Sequence, residues 1–360
     1  MKEMINFSVG PVQSDEIVRE IGFQQVPYFR TSEFSNIMFE NENLIKKFVV
    51  AEERAKVVFI TGSGTASLEA SVINTLSSKD KALIVNGGSF GQRFVEICKI
   101  HNIPYEDIKL DIGQPLTKEM LAKYKDKGFT AFLVNIHETS TGVLYDLNII
   151  SNFCKEQKLF LIVDAISSFL ADKLEMAKNG VDIVIIGSQK ALACPPGVSI
   201  IVLSEKALER VKNIDAKCMY LNLKTALKDA ERGQTPFTPA VGILLQINAR
   251  LKNIDSNGGA IKEIEKTKEL ADYFRKEIIN LPFKFVTTSP SNAVTSLYSL
   301  NQKAFDIFIC LKDNYGIWIC PNGGDLKDKV LRVGHIGNLT RKDFDKLLNA
   351  LKDMNKRGLL

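Results

Sequence analysis

The sequence predicts an α/β protein: a mainly parallel sheet with helices on both faces, followed by a smaller α+β unit. Short apolar runs at 57–60, 82–85, 129–135, 160–164, 181–187 and near 199 alternate with helical stretches, and helices of about 10–15 residues between strands imply βαβ units. Several runs end in polar or charged loops, which right-handed crossovers gather on one carboxyl rim. After Ser256-Asn-Gly-Gly259 the pattern changes to a long helix and short strands. The expected division is an N-terminal active-site segment (1–35), a large α/β domain (36–255) and a small α+β domain (256–360).

Taken in order, residues 1–35 show no long periodic element. Ser8-Val-Gly10-Pro11 and Tyr28-Phe-Arg30-Thr-Ser-Glu-Phe34 read as ordered loop. Arg30 beside aromatics is either a fork for a carboxylate or phosphate, or a stacked surface residue. A helix over about 36–52 precedes the strand at Val57, and Thr61-Gly62-Ser63-Gly64-Thr65-Ala-Ser67 then opens a helix. Converging amides, hydroxyls and a helix start make an anion site. The dinucleotide fingerprint fails because Ser67 stands where its third glycine belongs, and the P-loop fails for want of Gly-Lys-Ser/Thr. A cup for a smaller phosphate remains, as does a turn without a ligand.

The 82–85 run leads to Asn86-Gly-Gly-Ser-Phe90-Gly91, where Phe90 either stacks on a planar ring or simply packs. The 129–135 run leads to His137-Glu138-Thr139-Ser-Thr141-Gly142, a loop rich in donors. Phe160-Leu-Ile-Val-Asp164-Ala-Ile166 ends a strand in a carboxylate, and Val181-Asp-Ile-Val-Ile-Ile-Gly-Ser-Gln189-Lys190 delivers a lysine into a Pro-Pro-Gly turn. One crossover separates them, so the two strands can be neighbours in a parallel sheet, with both groups on the rim where open α/β sheets bind ligands. A buried ammonium is costly, but desolvation suits a lysine that attacks a carbonyl. An acid for a pyridinium nitrogen and a lysine for a Schiff base are the two needs of pyridoxal phosphate. The plainer readings are a snorkelling lysine and a capping aspartate.

Residues 205–255 read as charged helix, broken by Gly233-Gln-Thr235-Pro236-Phe-Thr238-Pro239. The small domain is expected to hold a helix over about 260–280, strands near 283–287, 294–300, 316–319 and 329–334, and a final helix from about 340. Arg332 lies within an apolar strand and requires an anion, a structural carboxylate or a substrate.

With 360 residues, 45% hydrophobic and 25% charged, the chain reads as an ordinary globular protein. No run of about 18 apolar residues suggests a membrane span, and the start Met1-Lys-Glu-Met lacks a signal-peptide core. Six cysteines without a CxxC pair suggest reduced thiols in the cytoplasm. Three histidines without zinc-like spacing argue against a metal. The net charge of +5 is spread along the chain, as solvated surface rather than a nucleic-acid footprint.

The string Gly187-Ser-Gln-Lys190-Ala-Leu-Ala-Cys-Pro-Pro-Gly197 resembles the lysine motif of class V aminotransferases of the alanine–glyoxylate/serine–pyruvate group. The 138–142 loop, Asp164, the 62–65 cup, Phe-Thr-Pro at 237–239 and Arg332-Val-Gly-His-Ile-Gly337 match in the same order, over essentially the whole chain. The 2-aminoethylphosphonate–pyruvate transaminases share most of these motifs. The resemblance implies a fold type I pyridoxal-phosphate transferase with a mainly parallel, seven-stranded-type sheet. It implies amino transfer from a small donor of the alanine or serine type to glyoxylate or pyruvate, with aminoethylphosphonate as the alternative donor. Lys190 would carry the cofactor as a Schiff base and move the substrate's α-proton, and Asp164 would keep the ring nitrogen protonated. Phe90 and Ile166 would sandwich the ring, Thr139 would contact its phenolic oxygen, and Ser63, Gly64, Thr65 and Gln189 would hold the phosphate. Thr238 would come from the partner in a homodimer with shared active sites. Arg332 would take the substrate carboxylate or phosphonate, with Gly10 and Arg30 lining the substrate side. The string Arg30-Thr-Ser-Glu-Phe34 is nearer the alanine–glyoxylate branch, and Phe90 stands where relatives often have tyrosine or tryptophan. More distant alternatives are a lyase or desulfurase, which needs a mobile catalytic cysteine and has only Cys194 near the lysine, and a non-catalytic Rossmann-like nucleotide-binding protein.

Overall fold

A computed structural model describes residues 4–360; Met1, Lys2 and Glu3, the first residues of the start noted above, lie outside it. The larger sheet has seven strands: β2 (Lys56–Thr61), β3 (Ala82–Asn86), β4 (Tyr105–Lys109), β5 (Ala131–Asn135), β8 (Phe160–Asp164), β9 (Ile183–Gly187) and β10 (Val198–Leu203), in the order β2-β10-β9-β8-β5-β3-β4. Only β10 runs against its neighbours. Between β5 and β8 the chain makes a small hairpin of β6 (His137–Glu138) and β7 (Val143–Leu144).

The central strands read as unbroken apolar runs because both faces of the sheet are covered. Successive side chains alternate between two cores: Leu161, Val163, Val184 and Ile186 pack on one face, and Phe160, Ile162, Ile183 and Ile185 on the other. Helices fill both layers. Among them are α1 (Glu16–Gly22), α2 (Ser32–Phe48), α3 (Gly64–Thr75) and α4 (Ser89–Ile100). Helix α2 starts earlier than the periodicity suggests because the Thr31 side chain accepts the Phe34 amide, at 3.2 Å, as an N-cap.

The smaller sheet is ordered β1-β13-β14-β12-β11, with β1 (Ile5–Phe7), β11 (Phe283–Phe285), β12 (Val294–Ser299), β13 (Ile317–Pro321) and β14 (Val330–Gly334). The helices Gly259–Ile278 and Arg341–Lys356 contribute to its core. The sequence reading leaves residues 1–35 as loop, but the segment splits in two. β1 joins the small sheet parallel to β13, with Phe7 packed edge-on against Phe344 at 5.0 Å. The α1 backbone holds the Val241–Ser256 helix through Gln246, whose amide donates to Val18 O at 2.8 Å. Residues 8–12 pass between these two anchors and meet the rim of the large sheet. No described helix is long and apolar enough to cross a membrane.

Candidate active site

Three strand ends build the rim. In register, Asn135 at the end of β5 stands beside Asp164 at the end of β8, and Asp164 beside Ile185 of β9. The chain leaves β9 at Gly187 into a loop closed on itself: Ser188 Oγ donates to Pro195 O at 2.7 Å, and the Cys194 amide to Ser188 O at 3.0 Å. That closure turns Lys190 inward. Its side chain is 8% exposed, and Nζ donates to Val9 O at 2.6 Å. Burial draws its ammonium down to about 8; Cys320 and Asp164 oppose the shift and Arg332 assists it. Gly10, at φ +128°, lies against this lysine, and a Cβ there would come within 2.7 Å of Lys190 Cδ.

Asp164 is also enclosed. Burial raises its carboxyl to about 7, opposed by the Ile166 amide, which donates to Oδ1 at 2.8 Å, while Glu138 adds to the rise. The turn that supplies this amide also sends Ile166 across the start of α3. A Cβ at Gly64 would overlap Ile166 Cδ1, and one at Gly187 would lie 3.0 Å from Ile166 Cγ2 and 2.9 Å from Gln189 Oε1. Gly64, Ile166 and Gln189 therefore meet at one point. Ser63 is the N-cap of α3 but makes no side-chain capping bond. The first amides of a helix have no partner within it, so Gly64 and Thr65 offer donors to an anion.

Phe90 lies in the first turn of α4, half-buried, with the Arg93 guanidinium 5.0 Å from its ring centre. Thr139 is buried and shares a 2.7 Å hydrogen bond with Ser167 Oγ. Arg332 reaches the same loop from the small sheet: Nη1 donates to Thr139 O at 3.1 Å and Nη2 to Pro321 O at 2.8 Å.

Two further expected residues meet at the 234–238 loop. Arg30 donates to Thr235 O at 2.8 Å and to Gln234 Oε1 at 3.3 Å, so it braces the 234–236 loop. Thr238 is exposed on the same loop, anchored nearby by the Ala240 amide donating to Thr61 Oγ1 at 3.0 Å. Cys194 is buried, with its thiol pushed up to about 12 by desolvation, which suits packing rather than nucleophilic attack. The roles of Val9 and Ser167 carry no sequence signal, since both depend on which loops the crossovers bring together.

A sequence profile of the family "Aminotransferase class-V" matches residues 27–321 of this chain. The chain belongs to the class V aminotransferases. It is 31% identical over 353 residues to an uncharacterised aminotransferase of Helicobacter pylori, covering 97% of this chain and 93% of that one. It is 27% identical over 348 residues to an alanine–glyoxylate aminotransferase of Oryctolagus cuniculus, covering 92% and 87%. The solved structure of an alanine–glyoxylate aminotransferase from Nostoc sp. shares the fold, with a TM-score of 0.92 at 22% identity, over 99% and 96% of the two chains. The fold is accordingly fold type I, and class V membership makes the protein a pyridoxal-phosphate-dependent transaminase. The residues of this class V aminotransferase fit that cofactor: a buried amine, a buried acid with one oxygen engaged by the protein, and open helix amides beside Gly64.

Proposed function

We propose that this class V aminotransferase moves an amino group from a small donor of the alanine or serine type to glyoxylate or pyruvate. The observation that carries the transamination is the rim pair: Lys190 and Asp164, both almost fully buried, at the ends of adjacent parallel strands beside the open start of α3. The choice of donor and acceptor is supported by the likeness to the alanine–glyoxylate relative. When bound, pyridoxal phosphate supplies an electron-withdrawing ring that stabilises negative charge at the substrate α-carbon.

The protein's part follows from its residues. An amine held near 8 instead of 10.5 is far more often neutral at neutral pH, so Lys190 Nζ can attack a carbonyl and then take and return the α-proton. The carbonyl of Val9 orients that amine. Asp164, a carboxyl whose burial raises its affinity for protons, would pair with the ring nitrogen and keep it protonated. Ser63, Gly64, Thr65 and Gln189 would hold the phosphate, while Phe90 and Ile166 would pack against the ring. Thr139 would hold the phenolic oxygen. Arg332 binds the substrate carboxylate, and Gly10 leaves room for it beside the lysine. Thr238 acts across the interface of a homodimer in which each subunit completes the other's site.

Two measurements test this. Borohydride reduction followed by peptide mapping is expected to mark Lys190, and a label on any other lysine would refute the assignment. A screen of alanine, serine, aspartate and aminoethylphosphonate against pyruvate and glyoxylate is expected to give the highest kcat/KM with alanine or serine. Preference for aminoethylphosphonate would replace the donor.

A further inference from the structure

Glu138 has no part in the chemistry above, yet it is completely buried beside it. Its Oε2 accepts the amides of Phe90 at 3.2 Å and Gly91 at 3.1 Å and Asn135 Nδ2 at 2.9 Å. Its Oε1 accepts the Ser140 amide at 3.2 Å and the Ser140 hydroxyl. All five partners are donors, which suits the acceptor-only carboxylate form. The group rests on Gly88, where a Cβ would lie 2.5 Å from Glu138 Cδ. One side chain thus ties together the start of α4, the end of β5 next to Asp164, and the loop that carries Thr139.

We infer that Glu138 is a positioning residue for the cofactor ring: it pins Phe90 to the Thr139 loop and sets a second negative charge beside Asp164. The inference rests on the proposed roles of Phe90 and Asp164. Its first half is geometric, since the amides of Phe90 and Gly91 share one carboxylate oxygen. Its second half is electrostatic. A buried charge acts on its neighbours at low effective dielectric, and Glu138 raises Asp164 in the direction that favours holding a proton. Several other groups also shape this field. They are Lys190 beyond β9, Arg93 on α4, Arg332 on β14, Tyr145 after β7, and the buried His137, whose Nδ1 meets Ser167 O at 3.3 Å.

Two substitutions separate the halves. In E138Q the amide oxygen can keep the three Oε2 bonds while its NH2 donates to the Ser140 hydroxyl and gives up only the Ser140 amide, so the anchoring of Phe90 and Gly91 survives and the charge is lost. The visible band of the holoenzyme should then titrate about one pH unit lower. Cofactor affinity, read by equilibrium dialysis, should weaken about tenfold, with the apoprotein melting within a few degrees of wild type. In E138D the charge stays but is withdrawn by one methylene. Hydrogen exchange of the Phe90 and Gly91 amides in the apoprotein should accelerate tenfold or more, while the titration midpoint moves less than in E138Q. An unchanged midpoint and cofactor affinity in E138Q would overturn the electrostatic half. Unchanged exchange in E138D would overturn the anchoring half, and that measurement stands even if E138Q fails to fold. Borohydride labelling of wild-type Lys190, run in parallel, separates failure of this inference from failure of the functional reading.

Discussion

Arg332 interrupts an apolar strand, and its neighbours are carbonyls. Nη1 and Nη2 donate to Thr139 O and Pro321 O, and Nε has no partner. The sequence leaves open a structural carboxylate or a substrate; among the described residues no acid forms an ion pair with this guanidinium. A charge held by backbone dipoles alone remains ready for an anion, and a carboxylate suits its fork. Arg332→Lys keeps the charge but loses the fork. Losing such a desolvated contact costs about 2–5 kcal/mol, so kcat/KM should fall about 30-fold or more. The melting temperature should drop by only a few degrees. Both are read on one preparation, and an unstable variant with normal kinetics would end the substrate role.

At the scale of the element, the start of α3 is a compromise between helix stability and room. Alanine is a better helix former than glycine by about 1 kcal/mol, yet position 64 excludes it because a Cβ would overlap Ile166 Cδ1. Gly64→Ala should therefore push Ile166 or the first turn aside and weaken cofactor binding by the apoprotein tenfold or more. Adding Ile166→Ala to Gly64→Ala removes the clashing atoms and should recover part of that affinity. Titration of the two apoproteins with pyridoxal phosphate checks both. Full affinity in Gly64→Ala would show that α3 does not receive the phosphate.

Across the whole molecule, the two sheets are joined by the 287–293 segment. Leu144 donates its amide to Ser289 O at 2.8 Å, and Ser291 donates its amide to Gly142 O at 3.1 Å. At the centre Asp172 accepts the Ser291 hydroxyl and, at 2.9 Å, the Asn292 amide. Burial lifts its carboxyl to about 6, with those hydrogen bonds opposing. A folded value above the ordinary 3.8 means that the protonated form favours folding below about pH 4, and that this contribution is lost as the pH rises through about 6. Asp172→Asn escapes the loss, since its amide can donate to the Ser291 hydroxyl. Its stability relative to wild type should rise between pH 4 and 7, by up to about 3 kcal/mol at one pH unit per 1.4 kcal/mol. Asp164 titrates in the same window in both proteins, so the readout is the difference in denaturant midpoints. A difference that stays flat from pH 4 to 8 would refute it.

How much of this could be read in advance depended on how local the signal was. Six strands of the large sheet were legible because a strand covered on both faces must be apolar at every position, as at Ile183–Ile186, whereas the edge strand β4, Tyr105-Glu-Asp-Ile-Lys109, is partly open to solvent and carries no apolar run. Lys190 and Asp164 were legible because a charged group at the end of such a run has to be accounted for. β1 was not: three residues carry no period, and its partner β13 lies near the other end of the chain. The partners of Arg30 in the 234–236 loop lie about 200 residues away in the chain, and its aromatic neighbours in the sequence do not indicate them. By itself the sequence determined which stretches are buried and which charges stand at their ends, because burial on a face is written in the local period. Only the tertiary structure decided which loops meet: Val9 at Lys190, Ser167 at Thr139, Glu138 under Phe90. Those meetings follow from strand order and register, which are set by the packing of the whole chain and leave no mark within any single segment.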